Sequence, residues 1–121
     1  MRENAVKQKS MDFAIRIVKL KRFLQNNKRE FDISGQLVRS GTAIGALVRE
    51  AEYAESKADF IHKLRIALKE ANETEYWLEL LFKTDFLTEE GYNSVKGDNE
   101  ELKKLLVCII NTTNKKNTHN C

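Results

Sequence analysis

The chain has 121 residues, with no proline, five glycines, two cysteines and a formal net charge of +3. That is one domain's length, with enough apolar material for a single core. No apolar run approaches the roughly 20 residues that a membrane span needs, and the N-terminus lacks the apolar core of a signal peptide, so the expectation is a cytoplasmic protein.

The modest net charge hides an uneven distribution. Residues 1–30 hold nine Lys and Arg against three acids, residues 84–101 hold six acids against Lys96, and the last twenty residues are basic again. The N-terminal excess has two readings: a solvated face, or a surface for nucleic acid or an acidic partner.

In chain order, the first helix is expected at about 10–29. Phe13, Ile17, Leu20 and Leu24 recur at four-three-four spacing, the pattern of one buried stripe, which Ala14 and Val18 widen. Lys21, Arg22, Lys28 and Arg29 fall together on its outer side, around Gln25 and with no acid nearby. The second helix, about 34–54, starts at Ser34 as N-cap. Leu37, Gly41, Ile44, Val48 and Ala51 form its seam, while Arg39, Thr42, Ala43, Ala46, Arg49, Glu50 and Tyr53 form a second face of small and charged residues. A glycine inside a helix costs roughly 1 kcal/mol against alanine. Gly41 and Gly45 are therefore expected where another backbone comes close. Two faces call for two neighbours, the bundle core and an adjacent subunit.

The third helix, about 56–83, opens on a capping box of Ser56 and Asp59. Phe60, Leu64, Ala67, Ala71, Thr74, Leu78 and Leu81 keep heptad spacing, with Ile61, Leu68, Glu75 and Phe82 beside them. Glu75, at the edge of the core, either has a partner, with Arg39 the first candidate, or turns to water. The fourth helix, about 88–112, is capped by Thr88, with Glu89 and Glu90 where the helix dipole favours acids. Its apolar face is Tyr92, Val95, Leu102, Leu105, Leu106, Ile109 and Ile110, and Gly97-Asp98-Asn99 marks a place for a kink. Residues 114–121 read as a disordered tail, leaving a domain of 1–113. Four amphipathic helices with short connections predict an all-α, antiparallel up-and-down four-helix bundle.

No catalytic constellation emerges. Asp59 and His62 form an acid-x-x-His pair, but a di-iron bundle site needs a second such motif and further inward carboxylates. Ser40 has no histidine base near it in sequence. Cys108 reads as a buried thiol and Cys121 as a tail thiol. No enzymatic activity, metal or cofactor is expected. For nucleic acid, Lys21, Arg22, Lys28 and Arg29 supply cations for phosphate, and Lys63 and Lys69 extend them.

Gln36-Leu-Val-Arg39-Ser40, then Ile44, Val48 and Glu50, then Ser56-Lys57-Ala-Asp59-Phe60, Leu64-Arg-Ile-Ala67-Leu68, and Glu73 and Glu75 before Leu78 form a spaced pattern. It resembles the bacterial four-helix-bundle family named after the 23S rRNA intervening-sequence protein. Leu47 and Arg49 depart from it, standing where the family carries asparagine and a small residue. The resemblance implies a homopentamer. It also implies similarity to the basic accessory protein of diversity-generating retroelements, which works beside a reverse transcriptase and its nucleic acid. The functional expectation is a non-enzymatic, pentameric scaffold that binds RNA or DNA. Arg39, Lys57 and Lys63 join the nucleic-acid candidates through their place in or near the family motif. Arg39, Ser40, Gly41, Gly45, Ala46, Glu50, Tyr53, Asp59, Phe60 and Glu75 are the candidates for a subunit interface or structural motif. The alternative is a protein–protein interaction module with an unidentified protein partner and no nucleic-acid role.

Overall fold

The computed structural model describes residues 2–115. They form α1 (Arg2–Lys28), α2 (Asp32–Ala51), α3 (Lys57–Lys83) and α4 (Glu89–Lys115). Each helix packs on its neighbours in sequence, and α4 closes the ring against α1. Cross-helix partners show the antiparallel sense. Lys7 at the start of α1 meets Glu52, just past the end of α2, and Gln25 near the end of α1 meets Ser34 near the start of α2. Between α2 and α3, Ser40 meets Thr74 and Glu50 meets Lys63. The fold is the expected four-helix bundle.

The expected stripes build the core. Ile17, Leu24, Leu37, Ile44, Leu64, Leu78, Leu81, Leu102 and Leu106 are almost fully buried. Each such side chain contributes roughly 1.5–3 kcal/mol relative to exposure. The interior glycines have their reason here as well. A Cβ on Gly41 would lie 2.9 Å from Ile17 Cγ2, and one on Gly45 would lie 3.4 Å from the Ser10 carbonyl oxygen. Both let α2 approach α1 within the bundle.

Several boundaries differ from expectation. Helix α1 starts at Arg2, about two turns before residue 10. Val6 explains this: it continues the spacing of Ser10, Phe13 and Ile17, and it is buried. Ser10 is accordingly inside the helix, buried, with Oγ donating to the Lys7 carbonyl at 3.1 Å. Helix α2 starts at Asp32, so Ser34 is not its N-cap. Ser34 is buried and donates to the Glu30 carbonyl at 2.9 Å. The capping falls to the buried Glu30, whose carboxylate accepts from the Ile33 and Ser34 amides at 2.8 and 2.7 Å.

The other caps follow the sequence closely. The Asp59 amide donates to Ser56 Oγ at 3.0 Å, and the Asp59 carboxylate accepts from the Glu55 amide at 3.1 Å. The Gly91 amide donates to Thr88 Oγ1 at 3.0 Å. Helix α4 runs unbroken through Gly97. Asn99, within the segment expected to kink, is fully buried and donates to the Ala71 carbonyl at 2.9 Å. Asn114 and Lys115 belong to α4 rather than to a tail, and residues 116–121 lie outside the described residues. Cys108 is buried, and Cys121 lies outside the described residues.

Candidate nucleic-acid interface

The turn between α1 and α2 gathers the strongest basic candidates. Helix α1 ends at Lys28, and Arg29 takes a left-handed conformation with φ 58°. That reversal lets the Glu30 amide donate to the Leu24 carbonyl at 3.0 Å. A non-glycine residue held there costs roughly 1–2 kcal/mol. Two aromatic rings flank the turn. Lys28 Nζ lies 5.9 Å from the centroid of Phe23, and the Arg29 guanidinium lies 5.7 Å from that of Phe31. These are cation–π distances. Phe23 is 42% exposed and Phe31 53%.

Arg22, Lys28 and Arg29 are exposed and Lys21 is half-buried. None of the four is in an ion pair among the described residues. Glu30, the acid next to them in sequence, is committed to capping α2. Along the helix seams the situation is the reverse. Lys7 pairs with Glu52, Lys9 with Glu101, Arg16 with Asp98 and Lys63 with Glu50.

Arg39 is also neutralised, though not by Glu75. It forms an ion pair with Glu73 and lies 3.5 Å from Glu70. Glu75 pairs instead with Lys103 at 2.7 Å. The reason is rotational: Glu70 and Glu73 lie on the side of α3 next to α2, whereas Glu75 lies next to α4. The Arg39 guanidinium holds the Glu73 carboxyl below the usual carboxylate range, assisted by the Trp77 indole N–H, which donates to it at 3.1 Å. The same pairing raises the Arg39 pKa further.

The seven basic candidates therefore do not form one surface. Lys21, Arg22, Lys28 and Arg29 sit at the end where α1 turns into α2. Lys57 opens α3 at the opposite end, and Lys63, on the same helix, is bound to Glu50. Helix α2, with 20 residues, separates the two ends by about 30 Å. Phe23 and Phe31 were not among the candidates. Their sequence signal is that Phe23 falls off the buried stripe of α1 and Phe31 falls in the connection before Ser34.

The interface candidates divide by helix face. Ser40 is buried, with Thr74 Oγ1 2.9 Å from its hydroxyl, and Phe60 packs on the core. Ala46 is exposed on the outward face of α2. It lines a groove of about 260 Å³ with Lys7, Ser10, Met11, Ala14, Thr42, Gly45 and Arg49. Tyr53 is 87% exposed, beside an open pocket that Arg49, Glu50, Glu55, Asp59 and Lys63 complete. Leu47 packs partly buried on the core, and Arg49 is exposed. Among the described residues no group of three or more His, Cys, Asp and Glu could hold a metal ion. No helix among them is long and apolar enough to cross a membrane.

No curated protein matches the chain. A crystal structure of a protein with unknown function from the S23 ribosomal protein family of Bacteroides thetaiotaomicron VPI-5482 is 60% identical to it. The match has a TM-score of 0.92 and covers 93% of this chain and 100% of that one. The profile of the family described as 23S rRNA-intervening sequence protein matches residues 2–108. The chain belongs to the 23S rRNA-intervening sequence protein family.

Proposed function

We propose that this protein is a non-catalytic helical bundle that assembles with copies of itself and binds RNA or DNA at the α1–α2 turn. One observation carries the nucleic-acid reading: Lys21, Arg22, Lys28 and Arg29 cluster at one turn with no ion-pair partner among the described residues, while Lys7, Lys9, Arg16, Arg39, Lys63 and Lys103 on the helix seams are paired. A phosphate backbone takes up cations that are not already neutralised, and the counterions it releases make such affinity fall with salt. A relation to the accessory protein of diversity-generating retroelements, which the sequence resemblance implies, would put that nucleic acid beside a reverse transcriptase.

Self-association is supported by the outward face of α2 and the adjoining part of α1. Met11, which lines the groove with Ala46 and Thr42, is 40% exposed, and Ile15, about one turn further along α1, is 48% exposed. A second copy would cover this apolar strip, and the family resemblance makes a pentamer the expected state.

Fluorescence anisotropy with labelled RNA and DNA 20-mers tests the first half. Affinity should fall steeply as salt rises. Binding indifferent to salt overturns the phosphate reading, and no binding at any salt favours a protein-interaction module instead. Light scattering during size exclusion tests the second half. A 14.0 kDa monomer at micromolar concentration would overturn self-association.

A further inference from the structure

The α1–α2 turn combines two things that a phosphate-binding patch does not need together. Cations alone bind a backbone, whether the nucleic acid is duplex or single-stranded. Here two of the four cations lie over phenylalanine rings, and both rings keep roughly half of their surface open to solvent. Leaving Phe23 and Phe31 outside forgoes the stabilisation that burying them would bring. Single exposed apolar residues are common and need no explanation. Two aromatic rings, each beneath its own unpaired cation within one nine-residue segment, form a more specific arrangement.

We infer that the turn is a stacking platform for single-stranded nucleic acid of either sugar type, an inference that rests on the nucleic-acid reading above. An unpaired base can lie against the open surface of a ring, with its phosphates beside Lys28, Arg29, Lys21 and Arg22. The cation on a ring adds its attraction to the stacked pair. In a duplex the bases are already stacked on one another, so the rings gain nothing and only the cations act. The platform is tolerant of sequence, because every base has a π face. The left-handed conformation of Arg29 belongs to the same arrangement: it turns the chain between the two rings and sets the guanidinium over Phe31.

The test uses the full chain and two fluorescein-labelled probes with nearly equal phosphate numbers, an oligo-dT 20-mer and a 10-base-pair duplex. In competition, the unaltered chain should favour the single strand at least about fivefold, a ratio that needs no variant. Stacking of one base on one aromatic is worth about fivefold or more in affinity. The F23L/F31L double variant should therefore lose about 25-fold or more on the single strand and less than twofold on the duplex. Both positions are exposed, and a circular dichroism melt checks that the variant folds. A loss below twofold on the single strand, or equal losses on both probes, overturns the platform. If both probes bind equally to the unaltered chain and only Lys21→Glu and Arg22→Glu weaken them, the platform fails while the phosphate reading survives. If neither probe binds at low salt, both readings fail.

Discussion

The α1–α2 and α3–α4 turns lie at the same end of the bundle and reverse the chain with the same backbone device. Arg29 at φ 58° and Asp85 at φ 71° are the two left-handed non-glycine residues among those described. At the second turn the device is a Schellman closure: the Phe86 amide donates to the Leu81 carbonyl at 2.9 Å and the Asp85 amide to Phe82 at 3.1 Å. The aromatics there turn inward. Phe82 stacks on the buried Tyr92 with centroids 4.5 Å apart, and Phe86 and Leu87 pack against the core. Glu89 and Glu90 stand in the first turn of α4, and Lys96 Nζ lies 5.6 Å from the centroid of the buried Tyr92 ring. At the first turn the rings stay outside and carry cations. Backbone geometry thus sets only the direction of the chain. The orientation of the rings separates a turn whose aromatics pack on the bundle from one whose rings stay open to solvent.

The largest expected effect would break that contrast in binding. Reversing Lys21, Arg22, Lys28 and Arg29 to glutamate should abolish oligonucleotide binding in anisotropy titrations. Neutralising one of them should lower the slope of log affinity against log salt by about one. Asp85→Asn at the other turn should change neither quantity.

Next comes stability in urea. Phe82→Ala should cost about 3 kcal/mol, because it empties a stacked, largely buried position. Phe31→Ala should cost less than about 1 kcal/mol, since the ring is half outside. Equal costs would mean that the two turns do not differ in the way described.

The caps give a smaller contrast. Glu30→Ala removes the acceptor of two amides in a buried setting and should cost about 1–2 kcal/mol, against about 1 kcal/mol for Thr88→Ala. Smaller still, Arg29→Gly and Asp85→Gly should each stabilise the fold by about 0.5–1 kcal/mol in thermal melts, by relieving left-handed strain. Arg29→Gly alone should also weaken oligonucleotide binding.

The Arg39–Glu73 pair, midway along the bundle, serves as a reference for both turns. Its carboxyl is lowered by Arg39 first and Trp77 second. A lowered carboxyl contributes stability above its unfolded pKa, about 4.3, and loses it as pH falls through the folded value. Because the pair is partly exposed, the effect is small. Glu73→Gln should flatten the stability profile on the acid side of the unfolded carboxyl pKa, below about pH 4.3, and leave nucleic-acid binding unchanged.

Much of this architecture was legible in the residue pattern. The stripes of α1 and α3, the caps at Ser56 and Thr88, and the close approach at Gly41 all follow from local spacing and local chemistry. The start of α1 was not, because Val6 is one apolar residue in a basic run and declares itself only by docking. Ser34 offered the stronger local cap signal, yet Glu30 caps α2, since the turn at Arg29 brings its carboxylate onto the Ile33 and Ser34 amides. Of the candidate interface, the four cations at the end of α1 were legible as a cluster and the two rings were not.

The sequence by itself determined the number of helices, their buried faces and the uneven charge along the chain, because each follows from periodicity and composition. Tertiary structure decided which charges remain unneutralised. An ion pair between helices depends on which face meets which neighbour, as Glu75 shows by choosing Lys103 over Arg39. It decided the exposure of Phe23 and Phe31 for the same reason: a ring is buried only if another helix reaches it, and no local pattern states where the neighbouring helices end.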